Sequence, residues 1–186
     1  MFLKERIEAA LARLVTAINA VDTKVPVRSV KKLGTAHSNS TITSTTVTDG
    51  TNAWSQAVTA GKSYRFIVIA TYQTAALTTG CRLSILPTTA VGTIQGTAFG
   101  AIVQAVNATG VEATLFAPAT STSVWPVGSN ILTASVNPIN SPHTLTMDFV
   151  YHCTTTGTLA IQFASKVAAS AAQLNVGSTL IVETIL

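Results

Sequence analysis

Charge is what this sequence has least of. Charged residues make up 10% of its 186 residues, against about 25% in ordinary soluble domains. Hydrophobic residues reach 47%, which excludes the composition of a disordered chain. So few charges leave two routes to solubility: a surface of Thr, Ser and Asn, or burial against partners. Long apolar runs are missing too. The densest, Phe66 to Ala70, falls far short of the roughly 18 residues that span a bilayer, and no membrane partner is expected. Glu8 and Arg13 interrupt any apolar core of a secretion signal near Met1, so the chain is expected to fold in a cytoplasm. In that compartment Cys81 and Cys153, the two cysteines, are expected to be free and buried. Two cysteines and three histidines do not make a zinc site, and no metal or cofactor is expected.

The charge that exists is unevenly placed. Residues 1–32 carry seven basic groups against three acids, which is the whole net charge of +4. Residues 33–186 are balanced, with Lys62, Arg65, Arg82 and Lys166 against Asp49, Glu112, Asp148 and Glu183. Two regions with different electrostatics suggest two different jobs. A nucleic-acid partner is not expected: Glu5, Glu8 and Asp22 dilute the basic groups, and residues 1–32 hold a single aromatic, Phe2.

The first segment reads as a helix over 1–25. Ile7, Leu11, Leu14, Ile18, Val21 and Val25 recur at alternating spacings of four and three, a heptad seam. Leu at one seam position with Ile or Val at the other favours three or four strands over two. The seam Ile7, Leu11, Leu14, Ile18 and Val21 is therefore the candidate trimer interface; the plainer alternative is that the stripe packs on the chain's own β region. Pro26 ends the helix. Residues 26–40 read as a linker with no clear period. Arg28, Lys31 and Lys32 make it either a solvated connection or a basic strap that docks on an acidic partner.

From Thr41 to Leu186 the pattern turns to β. Thr41 to Thr48 alternates and is β-branched, and Asp49-Gly50 signals a turn. Ser63 to Tyr72 is apolar on both faces, which places it centrally in a sandwich or at a subunit interface. Arg82 to Leu86, closed by Pro87, and stretches around Ile94–Val106, Val111–Phe116 and Ile131–Val136 read as further strands. Thr144 to Cys153 and Thr158 to Phe163, joined at Gly157, read as a hairpin. Ser178 to Leu186 reads as the last strand. Many short strands with turn signals between them predict a mainly β fold, a jelly-roll sandwich behind one short N-terminal α-helix.

Two stretches carry a resemblance. One runs from Ala60 to Leu83, with an aromatic strand followed by Thr78-Thr79-Gly80. The other is Thr158-Leu-Ala-Ile-Gln-Phe-Ala-Ser165, closing on Val176-Gly-Ser-Thr-Leu180. Together they resemble the β domain of tailed-bacteriophage virion proteins: head fibres, capsid decoration proteins and tail-fibre tips. The resemblance lies wholly in the β region and does not reach residues 1–40. It implies a trimeric, tumour-necrosis-factor-like jelly roll in the virion. With the short N-terminal segment, it points to a capsid decoration or head-fibre protein whose partners are itself and another virion protein, such as the major capsid protein. The alternative it implies is a short tail-fibre or baseplate protein that binds a host-surface receptor, for which Trp125 in a loop is the one aromatic feature.

Catalytic chemistry finds little to stand on. A glycosidase needs a carboxylate pair across one bond, and the four acids of the β region show no such spacing. Asp148 and His152 share a strand face four residues apart, about 13 Å by strand rise, too far for a dyad. No G-x-S-x-G elbow, phosphate loop or H-E-x-x-H motif occurs. No catalytic residue is assigned, and the expectation is a protein that is not an enzyme.

Overall fold

The structure is a computed structural model. It describes residues 2–22, 27–76, 79–105, 108–121 and 142–185, with side chains for 4–17, 27–76, 79–97 and 142–185. In chain order the elements are α1 (Phe2–Asp22), β1 (Arg28–Lys32), β2 (His37–Asn39), β3 (Thr45–Thr46), β4 (Ser55–Val58), β5 (Ser63–Thr74) and β6 (Cys81–Thr88). Then follow β7 (Val91–Ala105), β8 (Ala108–Ser121), β9 (His143–Thr155), β10 (Gly157–Ser165), β11 (Ala172–Leu174) and β12 (Thr179–Ile185). The strand expected at Ile131–Val136 and the loop residue Trp125 lie outside the described residues.

The strands form two antiparallel sheets. The larger has the order β1-β12-β5-β9-β7-β8, with β11 beside β5 and β2 beside β11. The smaller has the order β3-β10-β4, with β6 on the other edge of β10. The pairs nest: β1 and β2 with β12 and β11, β3 and β4 with β10, β5 with β9. Successive nested pairs alternate between the sheets, which is the winding of a jelly roll. Mainly β, two antiparallel sheets and one helix near the N-terminus is the fold the sequence predicted.

Alternation explains the core. On β5, Tyr64, Phe66, Val68, Ala70 and Tyr72 turn inward, and on β9 Leu145, Met147, Phe149 and Tyr151 do the same. Phe66 and Phe149 are direct cross-strand partners and stack with centroids 4.8 Å apart. Leu159, Ile161 and Phe163 of β10 and Leu83 and Ile85 of β6 meet them from the smaller sheet, with Trp54 fully buried between. Each such large side chain contributes about 1.5–3 kcal/mol by leaving water. Cys81 and Cys153 are both buried.

Four sequence expectations change. The expected hairpin of β9 with β10 does not form. Both edges of β9 are taken, by β5 and β7, and β10 pairs instead with β3, β4 and β6. The chain changes sheets at Thr156-Gly157, and a Cβ on Gly157 would clash with the backbone of Thr88 and Ala90, so only glycine lets β10 start there. Residues 27–40, the described part of the expected linker 26–40, are not a free connection. Residues 28–32 pair along β12, 37–39 pair along β11, and Val27 O accepts Thr184 N at 2.9 Å. An edge strand needs only its backbone groups, so β1 shows no apolar period. Finally, Thr41 to Thr48 shrinks to the two residues of β3, because the Asn39 side chain takes over the backbone pairing. Asn39 Nδ2 donates to Thr43 O and Phe163 O, both at 3.0 Å, and its Oδ1 accepts Thr41 N at 2.7 Å. Pro87, expected to close a strand, lies within β6. It is tolerated because β6 pairs only with β10 among the described strands.

Candidate functional site

The seam of α1 is bare. Ile7 and Leu11 are 59% exposed, Leu14 56% and Val15 49%. Every described side chain from Lys4 to Ala17 is exposed, so the stripe over these residues is not covered by the chain's own β region. The side chains of Ile18 and Val21, and residue Val25, lie outside the described ones. Within α1 the polar contacts are slight: Lys4 Nζ stands 3.9 Å from Glu8 Oε1, both well exposed, a pair that adds little. Arg6 and Arg13, seven residues apart, share a side of the helix with Ala9 and Ala10, off the seam.

The three candidate docking residues are divided by β1. Alternation sends Arg28 and Lys32 to the outer face of the larger sheet and Lys31 the other way. Lys31 Nζ donates to the carbonyls of Ala53 and Ser55, clamping the start of β4 to β1, and desolvation holds its pKa below the ordinary value. Arg28 Nε lies 3.7 Å from Glu183 Oε1. Lys32 is exposed. The structure thus brings Arg28 and Lys32 onto one face and commits Lys31 inside the domain.

That outer face was not singled out in sequence. Its central row runs Val30, Ile181, Ile67, Asp148 across β1, β12, β5 and β9. The next row runs Arg28, Glu183, Arg65, Val150. Arg65 grips Asp148 with both ends of the carboxylate, Nε to Oδ1 at 2.9 Å and Nη2 to Oδ2 at 2.6 Å, the bidentate form that fixes geometry best. On the other side of the central row, where Lys32, Thr179, Ile69 and Thr146 stand abreast, lies a hollow of about 270 Å³, lined by Ile69, Thr71, Thr144, Thr146, Val176 and Ser178. Ile69 is 52%, Val30 57% and Val176 61% exposed. The sequence signal was present in the two apolar faces of β5; the rows needed the register.

Polar clusters elsewhere brace loops. Asp49 accepts backbone N–H groups of Gly34 and Thr51 at 3.0 Å and Asn52 at 2.7 Å. These hold its carboxyl well below the usual carboxylate range. His37 is buried, with Nδ1 3.2 Å from Thr48 O, Nε2 3.3 Å from Thr45 Oγ1, and its ring edge-on to Phe163. A proton on Nδ1 satisfies both contacts with a neutral ring. Ser63 Oγ lies 2.7 Å from His152 Nδ1 on the exposed face. A nucleophile and base need a third group to orient the base, and Asp148, the carboxylate on the same strand face, is held by Arg65. Among the described residues no group of three His, Cys, Asp or Glu is placed to hold a metal ion, and no helix is long and apolar enough to cross a membrane.

No family profile and no characterised protein matches the sequence. Among solved structures the chain is similar to that of the infectious bursal disease virus Gt strain, at 12% identity and a TM-score of 0.18. The match covers 86% of this chain and 37% of that one. A likeness at this level carries no argument about function.

Proposed function

We propose that this chain is a non-enzymatic structural protein of a tailed-bacteriophage particle, a homotrimer that decorates the capsid or forms a short head fibre. The carrying observation is the bare seam of α1, with Ile7, Leu11 and Leu14 all more than half exposed. A helix of 21 residues with an apolar stripe is marginal alone in water. Three such stripes cover one another in a coiled coil. The resemblance of the β region to phage virion domains supplies the setting. The basic N-terminal segment supplies the docking end: with Lys31 clamped and Arg28 beside Glu183, Arg6, Arg13 and Lys32 keep their charge outward, toward an acidic partner such as a major capsid protein.

Light scattering on the purified chain tests the assembly. A trimer mass at micromolar concentration is expected, and a monomer mass throughout would overturn the reading. Imaging of antibody-labelled particles tests the place: label on the head supports it, and label at the tail tip favours the receptor-binding alternative.

A further inference from the structure

We infer that the hollow on the outer face of the larger sheet binds one residue of an acidic saccharide, a sugar ring that carries a carboxylate. The inference concerns a single chain and holds whether or not three chains assemble. The hollow has a volume of about 270 Å³, just under the range of pockets that take drug-sized ligands, so it admits one ring rather than a larger ligand. Its walls come from three segments. Ile69 and Thr71 of β5 lie opposite Thr146 and Thr144 of β9 as direct cross-strand partners, and the turn before β12 sets Val176 and Ser178 alongside them. That turn is pinned. Asn175 N donates to Thr71 O at 2.8 Å, Gly177 N to Leu33 O at 3.0 Å, and Thr71 N to Ser178 Oγ at 3.3 Å. The hollow therefore exists before any ligand arrives, and little ordering is left to oppose binding.

Three features identify the ligand class. The first is hydroxyl. Thr71, Thr144 and Thr146 line the hollow, each with a hydroxyl that can donate and accept, and none of these hydroxyls is bonded to another described group. A polyol matches such a wall. The second is the apolar flank of Ile69 and Val176, both more than half exposed, on which the C–H face of a ring can lie. The third is charge. Lys32 stands in Ile69's row with Thr179 between them. Its Cε lies 3.9 Å from where a Cβ on Gly177 would sit, which places the ammonium at the rim. Lys32 is exposed and pairs with no carboxylate among the described residues. Beyond that row the face continues with Thr71 and Thr144, then Ser38, Gln173 and Gln73, hydroxyls and amides without an acid. Asp148 belongs to the central row and is held by Arg65. A neutral sugar would leave Lys32 unused, whereas a carboxylate on the ring gives it a charge-assisted hydrogen bond.

Saturation-transfer NMR on the full chain tests this, with methyl glucuronide, methyl glucoside and acetate as probes. The glucuronide is expected to bind with millimolar half-saturation, about fivefold or more tighter than either of the others, the difference one charged hydrogen bond makes. Lys32→Gln should bring the glucuronide down to the level of the glucoside. The double variant Thr71→Val/Thr144→Val keeps the branched shape of both side chains and should weaken binding about fivefold or more through the lost hydroxyls. Absence of transfer to the glucuronide overturns the inference. So does equal binding of acetate, which would make Lys32 a simple anion contact, or equal binding of the glucoside, which would leave the carboxylate without a role. Parent-like binding by both variants would place the sugar elsewhere and overturns it too. Should the threonine variant misfold by circular dichroism, Ile69→Cys decides. Ile69 is half exposed while Cys81 and Cys153 are buried, so a maleimide caps the new thiol alone. Capping should abolish the binding that the uncapped variant keeps, and unchanged binding after capping overturns the assignment. Light scattering on the same samples separates this inference from the trimeric reading: a monomer that binds the glucuronide supports the site and sinks only the trimer.

Discussion

Cutting the seam leucines should weaken assembly without touching the fold of one chain. In the double variant Leu11→Ala/Leu14→Ala both changed side chains are more than half exposed in the single chain, so little packing is lost there, and alanine favours helix at least as well as leucine. In a trimer the remaining surface of each leucine leaves water. Full burial of a leucine stabilises by about 1.5–3 kcal/mol, and a little over half of that is outstanding, so about 1 kcal/mol per side chain. Six leucines in three chains then give about 6 kcal/mol, roughly four decades in the trimer association constant. The concentration at half-assembly varies as the square root of the dissociation constant for three chains joining, so it should rise about a hundredfold. Sedimentation velocity over a dilution series reads this directly. A shift of less than about threefold would mean that the stripe faces something other than its own copies.

Four further outcomes follow from single contacts. Lys31→Met should lower the urea midpoint of unfolding, by about 1–2 kcal/mol of stability, because the carbonyls of Ala53 and Ser55 lose a charged donor; an unchanged midpoint would refute the clamp. Desolvation holds the His37 pKa below its ordinary value, with the Thr48 carbonyl pulling it partly back. The unfolded chain therefore takes up the proton first, and this stability, complete above about pH 6.5, should fall as the pH drops below it; chemical unfolding at pH 7.5 and 5.5 tests this, and His37→Gln should flatten the difference. Gly157→Ala should cost about 1–3 kcal/mol by overpacking against Thr88 and Ala90, seen as a lower melting temperature; equal melting would refute the corner. Arg6→Gln/Arg13→Gln should reduce binding to undecorated shells, more at low salt than at high, because exposed charges are screened over about 8–10 Å; equal binding across a salt series would assign docking to another surface.

How far the sequence was legible depends on whether a pattern is local. The seam Ile7, Leu11, Leu14 recurs within single helical turns, and the inward faces of β5 and β9 alternate along single strands, so both could be read residue by residue. The pairing of β9 could not. Its partners are set by long-range register, Phe66 opposite Phe149 and Ile94 opposite Tyr151, while nearness in sequence argued for β10. Asn39 and Asp49 were legible only in part. The Asp49-Gly50 turn and the bonds to Thr51 and Asn52 are local, but Gly34 N meets Asp49 Oδ2, and Asn39 Nδ2 meets Phe163 O, only once segments distant in sequence come together.

The charge reading shows the same limit most sharply. Counted along the chain, residues 1–32 hold the whole net charge, and the segment reads as one basic strap. Counted by face, the strap divides. Strand alternation turns Lys31 inward to carbonyls, sets Arg28 beside Glu183, and leaves Lys32 at the sheet edge. An acidic partner therefore meets a weaker field at β1 than the composition implies, and a stronger one along the off-seam side of α1, where Arg6 and Arg13 stand without a carboxylate across the sheet to neutralise them. Electrostatic steering depends on where charge is displayed rather than on how much the segment contains. On that ground an acidic partner would be steered to the helix more than to the edge of the larger sheet, where Glu183 stands beside Arg28 and Lys32 is exposed.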